Sequence, residues 1–246
     1  MKDFSKYSAI IIGAGDATGS AIAKKFASHG YKVCPVRRPG SIDKVNALAK
    51  EINESGGWAK GYGVDARDED AVIKFFKDVE ENIAPIDVVI FNPGATVFSP
   101  IEETTSRVFR KVWEMAAFGG FLSGREAAKY MKKRNSGSIF FTGATASLRG
   151  SSGFSAFASA KFALRALSQS MARELGPEGI HVSHFIIDGA IDTAFIKENF
   201  PDRYALKEKD GILSPEKIAD SYWFVHSQHR SAWTHELDLR PYMETF

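Results

Sequence analysis

Short apolar runs alternate with helix-spaced apolar faces along the whole chain. Ser8 to Gly13, Lys32 to Val36, Trp58 to Val64, Ile86 to Phe91, Gly137 to Thr142 and Ile180 to Ile187 read as strands, with Glu236 to Leu239 as a short seventh. Between them, Ser20 to His29 places Ile22, Ala23, Phe26 and Ala27 on one helical face. Asp43 to Glu54 follows as a second helix. Glu69 to Glu81 groups Val72, Phe75, Phe76 and Val79, and Asp68, Glu69 and Asp70 suit its positive end. Long helices are expected over Thr105 to Lys133 and Phe154 to Leu175, the second stopped by Gly176-Pro177. Another follows Ser214-Pro215-Glu216.

Strand, helix, strand in series implies crossover connections and parallel pairing. No linker, repeat or low-complexity stretch divides the chain. The expectation is therefore one α/β domain over residues 1–246, a doubly wound parallel sheet of about seven strands with helices on both faces. Ligands of such sheets sit at the carboxyl ends of the strands. That rule directs attention to the residues just after Ile12, Val36, Val64, Phe91, Phe141 and Ile187.

Composition narrows the picture. Among 246 residues, 32 basic and 30 acidic side chains leave a formal charge of +2, with 44% hydrophobic and 25% charged residues. A disordered or collagenous chain is excluded, and a nucleic-acid partner is not expected. The patch Lys129, Lys132, Lys133 and Arg134 ends a helix, where cations suit the dipole. Cys34, the single cysteine, lies in an apolar stretch and reads as a small buried hydrophobe. His226 and His229 are three apart but lack an obvious third ligand, so no metal is expected. With no signal-like start and no apolar run near 18 residues, the expected location is cytoplasmic, without a membrane partner.

Two loops carry candidate chemistry. Gly13-Ala14-Gly15-Asp16-Ala17-Thr18-Gly19 follows the first strand and opens the first helix. Gly13 permits a tight turn, and Gly15 or Gly19 removes a side chain where backbone would approach a phosphate, whose charge the helix N-terminus favours. After the second strand stand Arg37 and Arg38, where a site for NAD would carry an acidic residue. Guanidiniums suit a ribose 2′-phosphate, so NADP(H) is favoured over NAD(H). Asp65, followed by Ala66, suits either an adenine contact or a cap on the next helix.

At this point the chain resembles the short-chain dehydrogenase/reductase family, over nearly its whole length. Phe91-Asn92-Pro93-Gly94 is similar to that family's Asn-Asn-Ala-Gly segment, and Ile186 to Thr193 to its Pro-Gly-x-x-x-Thr segment. The resemblance implies a Rossmann-like fold and places Asn92, Pro93, Gly94, Gly189, Ile191 and Thr193 beside the cofactor. It implies a substrate lid near 191–213, where Phe195, Phe200 and Tyr204 could line an apolar region, in a stretch from Phe195 to Gly211 that reads as polar and irregular. It also implies a homodimer or homotetramer; Phe109, Trp113, Phe121, Phe154, Phe162 and Leu167 read either as core or as that assembly face.

The departures concern catalysis. The family's first turn has a glycine where this chain has Ala17. Its Tyr-x-x-x-Lys reads here Phe157-Ala-Ser-Ala-Lys161; its serine falls on Ala144 and its asparagine near Ala116. Lys161 alone is retained; the resemblance implies that it binds the ribose hydroxyls, and a lowered pKa would let the same amine protonate the substrate directly. Thr142, Thr145, Ser147, Ser155, Ser159 and His184 lie near in sequence and read as ordinary polar residues. The reading is an oxidoreductase moving a hydride between NADP(H) and a small, apolar carbonyl or alcohol by a non-standard proton transfer. The alternative is an NADP(H)-binding pseudoenzyme with a regulatory or assembly role.

Overall fold

The computed structural model describes residues 3–94 and 96–245. Eight strands, β1 (Ser8–Ile12), β2 (Lys32–Arg37), β3 (Trp58–Ala59), β4 (Tyr62–Gly63), β5 (Ile86–Phe91), β6 (Gly137–Thr142), β7 (Ile180–Ile187) and β8 (Glu236–Leu239), form one parallel sheet. Its order is β3-β2-β1-β5-β6-β7-β8, with β4 also on β2. The chain runs outward from β1 to β3 and then returns to β5 beside β1. The gap between β1 and β5 is thus the switch point where a doubly wound sheet opens a crevice.

The strands are apolar on both faces because both are covered. On one side Ala9 and Ile11 of β1 meet α1 (Thr18–Ser28), α2 (Ile42–Glu54) and α9 (Pro215–His226). On the other, Ile10 and Ile12 meet α3 (Glu69–Asn82), α5 (Gly119–Met131) and α6 (Ser155–Leu175). No helix among the described residues is long and apolar enough to cross a membrane.

Three sequence expectations need correction. The third strand is not continuous from Trp58 to Val64: a Cβ on Gly61 would sit 2.9 Å from the Val45 carbonyl carbon, so the chain crosses tight against α2 and the ladder breaks into β3 and β4. The helix over Thr105 to Lys133 is α4 (Ser106–Trp113) and α5, joined by a π-helical turn over Glu114–Phe118. Its final residues, Lys132–Arg134, wind into a 3₁₀ turn. The stretch from Phe195 to Gly211 is helical rather than irregular, comprising α7 (Ala194–Asn199), α8 (Pro201–Tyr204) and a 3₁₀ turn over Ala205–Lys209. Thr193 caps α7, Pro201 opens α8 with its preset φ, and Asp210 stops the turn at φ 54°. A bridge between Ile191 and Leu213 closes this excursion at its base.

The basic patch is largely neutralised in place. Lys129 pairs with Glu126 at 2.8 Å, Lys132 with Glu178 at 3.4 Å, and Arg134 with Glu80. His226 joins a buried chain instead of a metal cluster: Tyr31 donates to Asp87 at 2.5 Å and bonds His226 Nε2 at 2.8 Å, and His226 Nδ1 lies 2.9 Å from Ser138 Oγ. No group of three metal-type ligands converges among the described residues.

Candidate active site at the carboxyl edge of the sheet

The glycine turn is built by close backbone packing. Gly13 and Ala14 both donate to Val36 O, at 3.0 and 3.1 Å, lashing the turn to β2. Asn92 lashes it to β5 by donating through its amide N–H to Ile12 O and through Nδ2 to Gly13 O. Gly13 has φ +81°, and a Cβ on Gly19 would lie 2.4 Å from Gly13 O and 2.7 Å from Ala14 Cα. Gly19 is therefore needed for the turn itself. Gly15 differs: a Cβ there would meet only Gly13 O, at 3.9 Å. Its missing side chain leaves a hollow in front of α1, whose N-terminus has no side-chain cap. The first-turn N–H groups of a helix lack intrahelical partners. Ser20 N–H is taken up by Gly15 O, and a cradle without a side chain, before a helix N-terminus that no side chain caps, fits a pyrophosphate.

The expected cofactor residues at the ends of β2 and β4 are already engaged. Arg37 Nη1 donates to Asp16 Oδ1 at 3.0 Å, and Lys44 Nζ pairs with Asp16 Oδ2 at 3.2 Å. Arg38 is exposed. Asp65 accepts from Arg67 Nε at 2.9 Å and Nη2 at 2.6 Å, and these bonds hold its carboxyl below the usual range. Asp65 does not cap α3; Asp68 does, accepting from Ala71 N. Ala66 is buried against the β5 side of the core.

Lys161 is the buried cation of the site. It is 2% exposed, and its Nζ donates to Thr142 O at 2.8 Å and Pro93 O at 3.2 Å. Both acceptors are uncharged carbonyls, so burial is uncompensated and pushes the ammonium pKa down to about 8. Helical spacing stacks Phe157 one turn before it, with Nζ 5.9 Å from the ring centroid. Phe157 packs with Ala116, Ala156 and Ala160, with Ala144 and Val97 at the margin. Phe157, Ala116 and Ala144 thus share one apolar cluster, and Ala116 lies in the π turn, where backbone hydrogen bonding is irregular.

Beneath this cluster runs a polar chain that sequence reasoning missed. Arg165 grips Glu236 at 2.8 and 2.6 Å, and Glu236 Oε2 lies 3.1 Å from His184 Nδ1. Burial pushes the His184 imidazole down to about 4, outweighing the pull of Glu236. A neutral His184 donates through Nδ1 to Glu236, which leaves Nε2 as an acceptor; Nε2 is buried without a partner. It lies 2.4 Å from where a Cβ on Gly143 would be, and Ser147 Oγ lies 2.8 Å from the same point. Ser147 Oγ accepts from Ala144 N at 3.1 Å. The chain spans residues 144 to 236, and no local pattern announces it.

Of the other nearby polar residues, Thr142 and Thr145 are tied into the fold. Thr142 Oγ1 meets Tyr222 OH at 2.6 Å, and Thr145 Oγ1 donates to buried Asp188 at 2.5 Å. Ser159 is exposed, and Ser155 Oγ is enclosed without a partner. Gly189 has φ +147°, and a Cβ there would touch Pro241 at 2.8 Å. Thr193 accepts from Ile196 N at 3.2 Å. A groove of about 930 Å³ separates α1, α7 and α9, lined by Ala17, Ser20, Lys24, Thr193, Phe195 and Asp220 among others.

Comparison with known proteins supplies a frame for this geometry. A family model described as short chain dehydrogenase matches residues 7–204. The short-chain dehydrogenase/reductase eriH of Hericium erinaceus is 31% identical over 230 residues, covering 89% of this chain and 90% of that protein. A crystal structure of a short-chain dehydrogenase from Rhodopseudomonas palustris is 48% identical, with a TM-score of 0.83 over 96% of this chain and 99% of that one. An alcohol dehydrogenase from Thermococcus sibiricus, complexed with 5-hydroxy-NADP, is 26% identical with a TM-score of 0.85, over 97% and 98% of the two chains.

Proposed function

This chain belongs to the short-chain dehydrogenase family, and on that premise we propose an NADP(H)-dependent oxidoreductase in which Lys161 moves the proton that a tyrosine would otherwise move. The observation that carries the reading is the setting of Lys161: a buried amine whose acceptors are two carbonyls, beside an apolar wall. An ammonium has three N–H groups. Thr142 O and Pro93 O take two, and the third remains for an oxygen in the cleft. When bound, the nicotinamide supplies or takes the hydride. In reduction, the carbonyl oxygen that gains the electron pair takes Lys161's remaining proton, leaving an alcohol and a neutral amine.

The other roles follow from position. Gly13, Gly15, Ala17, Thr18 and Gly19 form the pyrophosphate cradle. Arg37 and Arg38 favour the 2′-phosphate, and Asp65 with Ala66 borders the adenine end. Asn92, Pro93 and Gly94, together with Gly189, Ile191 and Thr193, border the ribose and nicotinamide end. Phe157, Ala144 and Ala116 favour an apolar carbonyl or alcohol, and residues 191–213 form the lid over it. General acid catalysis is worth about 10²–10⁴-fold, so an amine in place of a phenol–serine pair implies slow turnover, while positioning of the reactants still contributes.

The test is NADPH oxidation on a panel of apolar ketones and aldehydes across pH. Reduction needs the protonated amine, so the rate is expected to fall as pH rises through about 8. A rate flat from pH 7 to 10 overturns Lys161 as the proton source. Tighter binding of NADH than NADPH, measured by cofactor fluorescence, overturns the NADP(H) preference. The wholly apolar replacement of Tyr, Ser and Asn favours a second reading, a nucleotide-binding pseudoenzyme. It is supported if the parent is inert while a Phe157→Tyr, Ala144→Ser double variant oxidises NADPH. Phe109, Trp113, Phe121 and Phe162, each about two-fifths exposed on α4, α5 and α6, support assembly into a dimer or tetramer. Light scattering at micromolar concentration is expected to give that mass, and a monomer would refute it.

A further inference from the structure

The cations that would receive a 2′-phosphate already hold an anion. Asp16, from the glycine turn, lies 3.0 Å from Arg37 of β2 and 3.2 Å from Lys44 of α2. Three separate elements meet here because Gly13 and Ala14 are tied to Val36 O, which sets residue 16 beside residue 37. Asp16 also stands two residues before α1, at the positive end of the helix dipole. Everything that attracts this carboxylate would equally attract a phosphate ester. The pairs are open to water, with the side chains of Asp16, Lys44 and Arg37 72%, 59% and 24% exposed, so they are exchangeable rather than locked.

We infer that Asp16 is a specificity-determining residue, an internal competitor that must yield Arg37 and Lys44 before the 2′-phosphate of NADP(H) can take them. It thereby weakens NADP(H) selectively and narrows the margin over NAD(H). The inference rests on the NADP(H) reading above. NAD(H) carries no 2′-phosphate and has no need to displace the carboxylate. Any general repulsion between Asp16 and the pyrophosphate acts on both cofactors alike and cancels in their ratio. Two exposed pairs are lost with the carboxylate, so its removal is expected to raise the ratio of NADH to NADPH dissociation constants about 2- to 30-fold, the equivalent of about 0.4–2 kcal/mol.

The experiment titrates NADPH and NADH by fluorescence against the wild-type protein, Asp16→Asn, Asp16→Ser and Arg37→Ala, with circular dichroism to check folding. Both Asp16 variants should raise the ratio, mainly through tighter NADPH. Adenosine 2′,5′-bisphosphate should compete better against them, whereas 5′-AMP should not. A ratio that is unchanged or lower in both Asp16 variants overturns the inference. If Arg37→Ala still weakens NADPH in that case, the NADP(H) reading stands while the role of Asp16 falls. If the wild type shows no preference for NADPH and Arg37→Ala leaves the ratio unmoved, both fall together.

Discussion

The two ends of the cleft were treated differently. At the β1–β2 end, the glycine turn keeps its tight backbone contacts, its helix start and its flanking cations. At the β6–α6 end, Phe157, Ala116 and, at the margin, Ala144 pack together as hydrocarbon. Lys161 links the two ends: it is rooted in α6, and its Nζ reaches Pro93 O beside the glycine turn and Thr142 O at the end of β6. The two ends rest on different physics: the cradle depends on backbone packing, while proton transfer depends on a few side-chain atoms.

The largest expected effect breaks the link. Lys161→Ala should lower kcat for NADPH-dependent reduction by about 10²–10⁴-fold and abolish the fall in rate above pH 8. A Lys161→Ala enzyme with parental kcat would mean that the β6–α6 end draws its proton from elsewhere.

Next is the acid stability of the polar chain under the apolar cluster. His184 has a folded pKa of about 4, below its ordinary 6.5. As pH falls from 6.5 to about 4, the unfolded chain takes up a proton that the folded one refuses. Stability is therefore present above 6.5 and lost over that window, by about 3 kcal/mol. Urea denaturation of wild type and His184→Gln at pH 7 and pH 4.5 should show the variant losing less on acidification. Equal losses would remove His184 from the account.

Two glycine substitutions sharpen the description of the other end. Gly19→Ala forces a methyl to 2.4 Å from Gly13 O, a backbone atom that cannot swing aside, and should cost about 1–3 kcal/mol along with cofactor binding. Gly15→Ala meets no close protein atom and should leave stability unchanged or raised by about 0.4–1 kcal/mol, while still weakening NADPH. Thermal melts and fluorescence titrations on both variants separate a glycine the turn needs from one the ligand needs. Loss of stability in Gly15→Ala would erase that distinction.

The smallest effect concerns Cys34, whose thiol burial pushes up to about 12. It should stay unmodified by a thiol reagent in the folded protein and react on unfolding.

Particular residues show how much the chain disclosed in advance. The alternation of strands and helices, the glycine turn, the acidic start of α3 at Asp68 to Asp70 and the stop after Leu175 are legible because they are local: each depends on neighbours within a few positions, whereas the cap itself falls on Asp68 and not on the expected Asp65. Arg37, Asp16 and Lys161 stand out in the sequence, yet their partners do not. Arg37 reads as a phosphate ligand, and its ion pair with Asp16 comes from a neighbouring strand end. Ser147 and His184 read as ordinary polar residues, and the chain through Glu236 to Arg165 was invisible. Residues 58–64 look like one strand, and only the close passage of Gly61 against α2 breaks it.

The sequence alone therefore determined the parallel fold and the family, since periodicity, turn chemistry and side-chain identity are written residue by residue. Tertiary structure alone decided which charges are paired, which amine is dehydrated and which hydroxyl stands near which imidazole. Those depend on distances between segments far apart along the chain, and Coulomb and desolvation energies follow distance and burial rather than order in the sequence.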